Sequence, residues 1–127
     1  MSVMTLEELY RTIGGDYDQA IRVLRKEKLV DKHIRKLPAN GVVEALLNAG
    51  QTMDPVQLFE TAHAVKGVCA NLGLKELADA ASEIAEEYRP GNARTLTEAE
   101  VQEKLSAISR LYQRAADGIR QYEESNN

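Results

Sequence analysis

Apolar residues recur along the chain at intervals of three and four and almost nowhere alternate one by one. That is the period of a helix, so the pattern predicts an all-α protein punctuated by glycine and proline. The first stripe, Leu6, Leu9, Tyr10 and Ile13, begins with Thr5 and Glu8 at capping-box spacing and stops at Gly14-Gly15. Asp16, three residues ahead of Gln19, is a second cap, followed by Tyr17, Ala20, Ile21 and Leu24. A weaker stretch through Val30, Ile34 and Leu37 is expected to end at Pro38. Asn40 can cap a short helix carrying Val42, Val43, Leu46 and Leu47 that closes at Gly50.

The clearest boundary follows. Asp54 can cap, Pro55 suits the first helical position and Gln57 can return a reciprocal capping bond. The helix it opens is expected to run to about Leu72, with Gly73 as its left-handed end. Leu77, Ala81, Ile84 and Tyr88 form the next stripe, stopped by Pro90-Gly91. Thr97 and Glu100 then make a capping box ahead of Val101, Leu105, Ile108, Tyr112, Ala115, Ile119 and Tyr122, whose spacing alternates four and three. A 4-3 stripe also suits a two-chain coiled coil, but this one lasts a single helix and its neighbours need a partner too. The expected architecture is one antiparallel four-helix bundle, its core at about residues 40–123, with short extra helices at about 5–37 over one end. The polar tail from Glu123 to Asn127 is expected to fray.

A length of 127 residues fits one domain around one core. With one Phe, five Tyr and no Trp, that core must be built from Leu, Ile, Val and Ala. Sixteen basic against 20 acidic residues give a formal charge of −4, which argues against nucleic acid and anionic membranes as partners. The segment Arg22 to Lys36 is locally basic, and it reads as a solvated face or a docking strip for an acidic partner rather than a nucleic-acid site. His33 within it has no recognisable partner and reads as surface. The start of the chain lacks a basic stretch followed by an apolar one, and no apolar run is long enough for a bilayer, so a cytoplasmic protein is expected. One Cys and two His do not make a structural zinc site, and the lone Cys69 forms no internal disulfide.

The chemistry concentrates between Glu60 and Gly73. At about 100° per residue, Leu58, Phe59, Ala62, Val65, Cys69 and Leu72 gather on one arc, which defines the core side and places Cys69 in the interior. His63 projects away from that arc, among Glu60, Ala64, Gly67, Ala70 and Asn71, so its imidazole is expected in solvent beside small neighbours. Gly67, one turn on, costs a helix interior about 0.5–1 kcal/mol relative to alanine. Either another helix packs close there, or the gap leaves room for a bulky group carried by the ring. Lys66 can bring an ammonium group to the same surface and balance added negative charge. An exposed imidazole, a cation and a missing side chain suit the carrying of phosphate.

The string His63-x-x-Lys66-Gly67, followed by Gly73 and Leu77 on a helix ending Asn71-Leu72-Gly73, resembles the histidine phosphotransfer (HPt) domain of phosphorelays. The resemblance is sharpest from Thr61 to Leu77. It implies a four-helix bundle whose histidine, here His63, is reversibly phosphorylated on a ring nitrogen, with Lys66 assisting the phosphoryl group and Gly67 leaving it space. It implies response-regulator receiver domains or a hybrid sensor histidine kinase as partners and Mg²⁺ on the receiver rather than on this chain; the chain is then expected to be a carrier rather than a self-sufficient enzyme, and a monomer. No cofactor is expected, and the sequence holds no phosphate-binding glycine loop. Docking would use Ala64, Gly67 and Ala70, with Lys66 and Lys75 at the edge, and one hydrogen bond is expected to orient the ring.

Three other readings use the same residues. Glu60 and His63 have the Glu-x-x-His spacing of dinuclear carboxylate bundles, but Val30 stands where His33 would need its glutamate. A histidine-kinase dimerisation helix usually carries an acidic residue after its histidine, and here Ala64 follows. A helical interaction module that has lost phosphotransfer is the remaining alternative.

Overall fold

The computed structural model describes residues 3–126, which form seven α-helices: α1 (Leu6–Ile13), α2 (Tyr17–Leu24), α3 (Glu27–Asn40), α4 (Val42–Thr52), α5 (Pro55–Asn71), α6 (Lys75–Glu87) and α7 (Glu98–Asn126). Helix α5 packs on α4 and α6, and α7 packs on α6 and α4, so these four close into a bundle. The short α4–α5 and α5–α6 connections set successive helices antiparallel. Helices α1 and α3 lie on α7, while α2 reaches α3 and α5. The all-α fold and its bundle are as the periodicity predicts.

Local chemistry accounts for most boundaries. At α1 the Thr5 hydroxyl accepts from the Glu8 amide and the Glu8 carboxylate accepts from the Thr5 amide, and Gly14 ends the helix at φ 74°. Asp16 caps α2 through the Gln19 amide at 3.0 Å. Thr97 and Glu100 exchange the same pair of bonds at the start of α7. Asp54 accepts from the amides of Val56 and Gln57, so the cap of α5 rests on the aspartate.

Four expectations change. Helix α3 does not stop at Pro38; it continues to Asn40 with Pro38 inside its last turn, its lost amide bond and the crowding of the Ile34 carbonyl being borne there. Asn40 therefore ends α3 instead of capping α4, and Gly41 at φ 80° is the whole junction. Gly50 does not close α4, which runs to Thr52 and ends at Met53 with φ 58°. Gly50 is instead buried where a Cβ would strike the Leu105 side chain, so it serves helix packing. The tail does not fray through Ser125 and Asn126: α7 extends to Asn126, whose amide group donates to the Met4 and Tyr122 carbonyls.

The core is aliphatic with four buried tyrosines. All seven residues of the α7 stripe, from Val101 to Tyr122, are buried against helices of the same chain, which answers the coiled-coil alternative within the molecule. Tyrosine hydroxyls reach polar partners at the core edge. Tyr112 donates to the Glu44 carboxylate at 2.8 Å, and Tyr122 donates to Asp31, which also accepts from Arg35 at 3.0 Å. Burial and the facing Asp31 carboxylate push the Tyr122 hydroxyl up to about 12. Among the described residues, no helix is long and apolar enough to cross a membrane.

Candidate functional site

Helix α5 is the scaffold of the site. Leu58, Ala62, Val65 and Cys69 face inward and are fully buried, which fixes the rotation of the helix about its axis. That rotation leaves Glu60, His63, Ala64, Gly67, Ala70 and Asn71 exposed as one strip. His63 lies in solvent as the sequence predicts, with Lys66 half-buried beside it.

A Cβ built on Gly67 would meet nothing within 4 Å. The reading in which Gly67 admits a close-packed helix therefore fails. By contrast, Cβ atoms at Gly50 and Gly118 would strike Leu105 and Ile13, which shows what a packing glycine looks like in this chain. The Gly67 gap opens to solvent one turn from the imidazole.

Phe59 packs against the core from its edge. It is half-buried, and its ring stacks on His63 with centroids 5.8 Å apart and planes at 22°. Among the described residues the contact on the imidazole is this aromatic stack, and the expected orienting hydrogen bond is not found. The Arg89 guanidinium lies over the same phenyl ring, 5.4 Å from its centroid. Arg89 in turn donates to the Glu86 carboxylate, with contacts of 3.2, 3.1 and 2.6 Å. These bonds hold the Glu86 carboxyl below the usual range, and the Lys66 charge pulls in the same direction. The i, i+4 spacing of Phe59 and His63 is a readable sequence signal for their contact. Arg89 carries no such signal, since only the α5–α6 hairpin brings it there.

Lys75 is less available than expected, because it pairs with Asp79 at 3.1 Å. His33 is exposed, as expected, and stands on the rim of a groove of about 320 Å³ that α3 forms with α5, together with Leu24, Lys36, Val68 and Asn71. Cys69 is buried and its thiol is pushed up to about 12 by that burial, which removes it from nucleophilic chemistry. Among the described residues, no group of three or more His, Cys, Asp or Glu stands together in a way that could hold a metal ion.

An arrangement of this kind can take up and release a group on the exposed ring. The imidazole is a nucleophile free of steric cover on the Gly67 side, and an ammonium group lies within the same stretch of surface. No curated protein and no solved structure matches the chain. The family model for the Hpt domain matches residues 32–118, which takes in most of α3, all of α4, α5 and α6 and most of α7 and leaves α1 and α2 outside. The match spans more than half of the chain, with His63, Lys66 and Gly67 inside it, and the protein belongs to the Hpt domain family.

Proposed function

We propose that this protein is a phosphoryl carrier of a two-component phosphorelay, in which His63 takes a phosphoryl group from an aspartyl phosphate on one receiver domain and passes it to another. In the loading step a ring nitrogen of His63 forms the N–P bond as the acyl O–P bond breaks, and the receiver aspartate leaves as a carboxylate. The return step reverses this. Phosphoryl transfer asks mainly for alignment and charge stabilisation, so a carrier needs little machinery of its own. Mg²⁺ and the acidic pocket belong to the receiver in this reading.

The observation that carries the proposal is the open space at Gly67 beside an exposed His63. A mid-helix glycine that no neighbour demands is a stability cost without a folding reason, and room for a tetrahedral PO₃ group supplies one. Lys66 is suited to neutralising that group in transit. The docking surface proposed for the receiver follows the exposed strip of α5 through Ala64, Gly67 and Ala70, continues over exposed Val56, and reaches the His33 and Lys36 rim of the α3 groove. That rim carries positive charge toward a partner rich in carboxylates.

The test is incubation with a phosphorylated receiver domain. Acid-labile, base-stable label is expected on the wild-type chain and none on His63→Gln, with helicity unchanged by circular dichroism. Label that persists in His63→Gln rejects the site. A folded wild-type chain that binds receivers without accepting label favours the interaction module instead.

A further inference from the structure

The chain has one phenylalanine, and it lies at the edge of the core, only half-buried. Leu58, Ala62, Val65 and Cys69 already fill the inward face of α5, while Phe59 lies half-exposed on the flank that leads to His63. Its ring lies nearly parallel to the imidazole at 5.8 Å. An exposed histidine with nothing against its ring exchanges rotamers on the picosecond to nanosecond scale. A near-parallel aromatic ring one turn away restricts that freedom.

Phe59 is itself held. The Arg89 guanidinium lies over it at 5.4 Å, and Arg89 in turn bonds the Glu86 carboxylate at the surface. The backbone around Arg89 is fixed as well: its carbonyl accepts from the Asn92 amide at 3.0 Å, while the Asn92 side chain donates to the Glu86 carbonyl at 2.9 Å. A continuous run of contacts therefore passes from the end of α6, through Arg89 and Phe59, to the ring that stands at the centre of the proposed site.

Resting on the reading of His63 as phosphoryl acceptor, we infer that Phe59, backed by Arg89, is a positioning residue that pre-sets the imidazole plane for in-line attack on phosphorus. The contribution is orientational: a ring already aimed at the incoming phosphorus needs no search when the donor arrives. Phe59 touches the ring and not the phosphoryl group, so charge stabilisation stays with Lys66.

Phosphoramidate tests this without a partner protein. The imidazole nitrogen forms its bond to phosphorus as the P–N bond of the donor breaks, and ammonia leaves with the electron pair of that bond. Phosphohistidine is followed by ³¹P NMR in the full chain, and the His63 ring protons by ¹H NMR. In Phe59→Leu the ring protons are expected to move downfield as the ring current is lost, and labelling is expected to slow by about tenfold. Phe59→Tyr is expected to restore both, and Arg89→Gln to slow labelling in the same sense by less. A Phe59→Leu chain that labels at the wild-type rate, or a Phe59→Tyr chain that stays slow, overturns the inference. A wild-type chain that takes no label on His63 overturns the acceptor reading itself, a different result from equal rates in the two chains.

Discussion

The Asp16 amide donates to the Gly73 carbonyl at 2.8 Å, and a Cβ on Gly73 would run into the Asp16 carbonyl oxygen. Two segments 57 positions apart thus meet backbone to backbone at the turn that separates α5 from α6. Gly73 also sits at φ 71°, where a side chain is strained in any surroundings. The Tyr10 hydroxyl adds a 2.7 Å bond to the Leu72 carbonyl at the same turn. The N-terminal helices, which lie outside the stretch matched by the family, are in this way fastened to the end of the helix that carries His63. Gly73→Ala is expected to cost at least about 1–3 kcal/mol through backbone strain alone, read as a lower denaturation midpoint in urea. An unchanged midpoint contradicts the close approach.

Gly67 should answer the same substitution with the opposite sign. It lies in the interior of α5 with open space where a methyl group would go. Gly67→Ala is therefore expected to stabilise the chain by about 0.5–1 kcal/mol, since alanine is the better helix former and meets no obstacle. Phosphotransfer is expected to slow in the same variant. Paired denaturation and transfer assays check both halves, and a variant that is more stable and equally fast removes Gly67 from the mechanism.

How far the sequence carried can be seen residue by residue. The stripes of α5 and α7 were legible because helical rotation is a local property, and His63 follows from it: once Leu58, Ala62, Val65 and Cys69 turn inward, the histidine must turn out. The caps at Thr5, Asp16, Asp54 and Thr97 were legible for the same reason. Gly50 and Gly118 were not, because what makes them glycines is Leu105 and Ile13, far off in the chain. Phe59 falls at the margin of the core arc by its helical angle, and there its flat ring packs half-buried against the core and meets the next turn at His63. Arg89 reaches the site only through tertiary packing.

Glu87 is nearly buried and accepts from the Thr95 amide at 2.9 Å, the Thr95 hydroxyl at 2.7 Å and the Leu96 amide at 2.9 Å, which organises the loop from α6 to α7. The Thr95 side-chain bond, followed by the backbone bonds, holds its carboxyl below the ordinary value of 4.5. A depressed carboxyl contributes stability that is complete above its unfolded value and is lost as pH falls through the lower folded one. Melting temperature is therefore expected to decline as pH drops from about 6 to about 3. Glu87→Gln is expected to melt lower at the upper end and to lose less across the window. Parallel curves for the two chains contradict this account of the loop.

Cys69 supplies a probe of the core. Its thiol is fully buried, and burial pushes it up to about 12, so at neutral pH there is almost no thiolate and no path for a reagent to reach it. Iodoacetamide is expected to leave the folded chain unmodified over hours and to alkylate it promptly in denaturant, as read by mass spectrometry. Prompt modification of the folded protein places Cys69 outside the core and, with it, the rotation of α5 that exposes His63.

Lys66 separates a mechanistic role from a structural one. It is half-buried and forms no ion pair among the described residues, and Glu86, which feels its charge weakly, is already paired with Arg89. Removing it should therefore leave stability within about 0.5 kcal/mol of wild type. In transit, however, a phosphoryl group on His63 would lose a charge-assisted hydrogen bond worth about 1.5–3 kcal/mol, so transfer from a receiver to Lys66→Ala is expected to fall by about ten- to a hundredfold. Lys66→Arg keeps the charge and is expected to recover part of that loss, the planar fork being a poorer match than a compact ammonium group for a site shaped around lysine. Rate and urea midpoint measured on the same preparations decide the matter: a drop in the midpoint assigns Lys66 to folding, and an unchanged rate removes it from the mechanism.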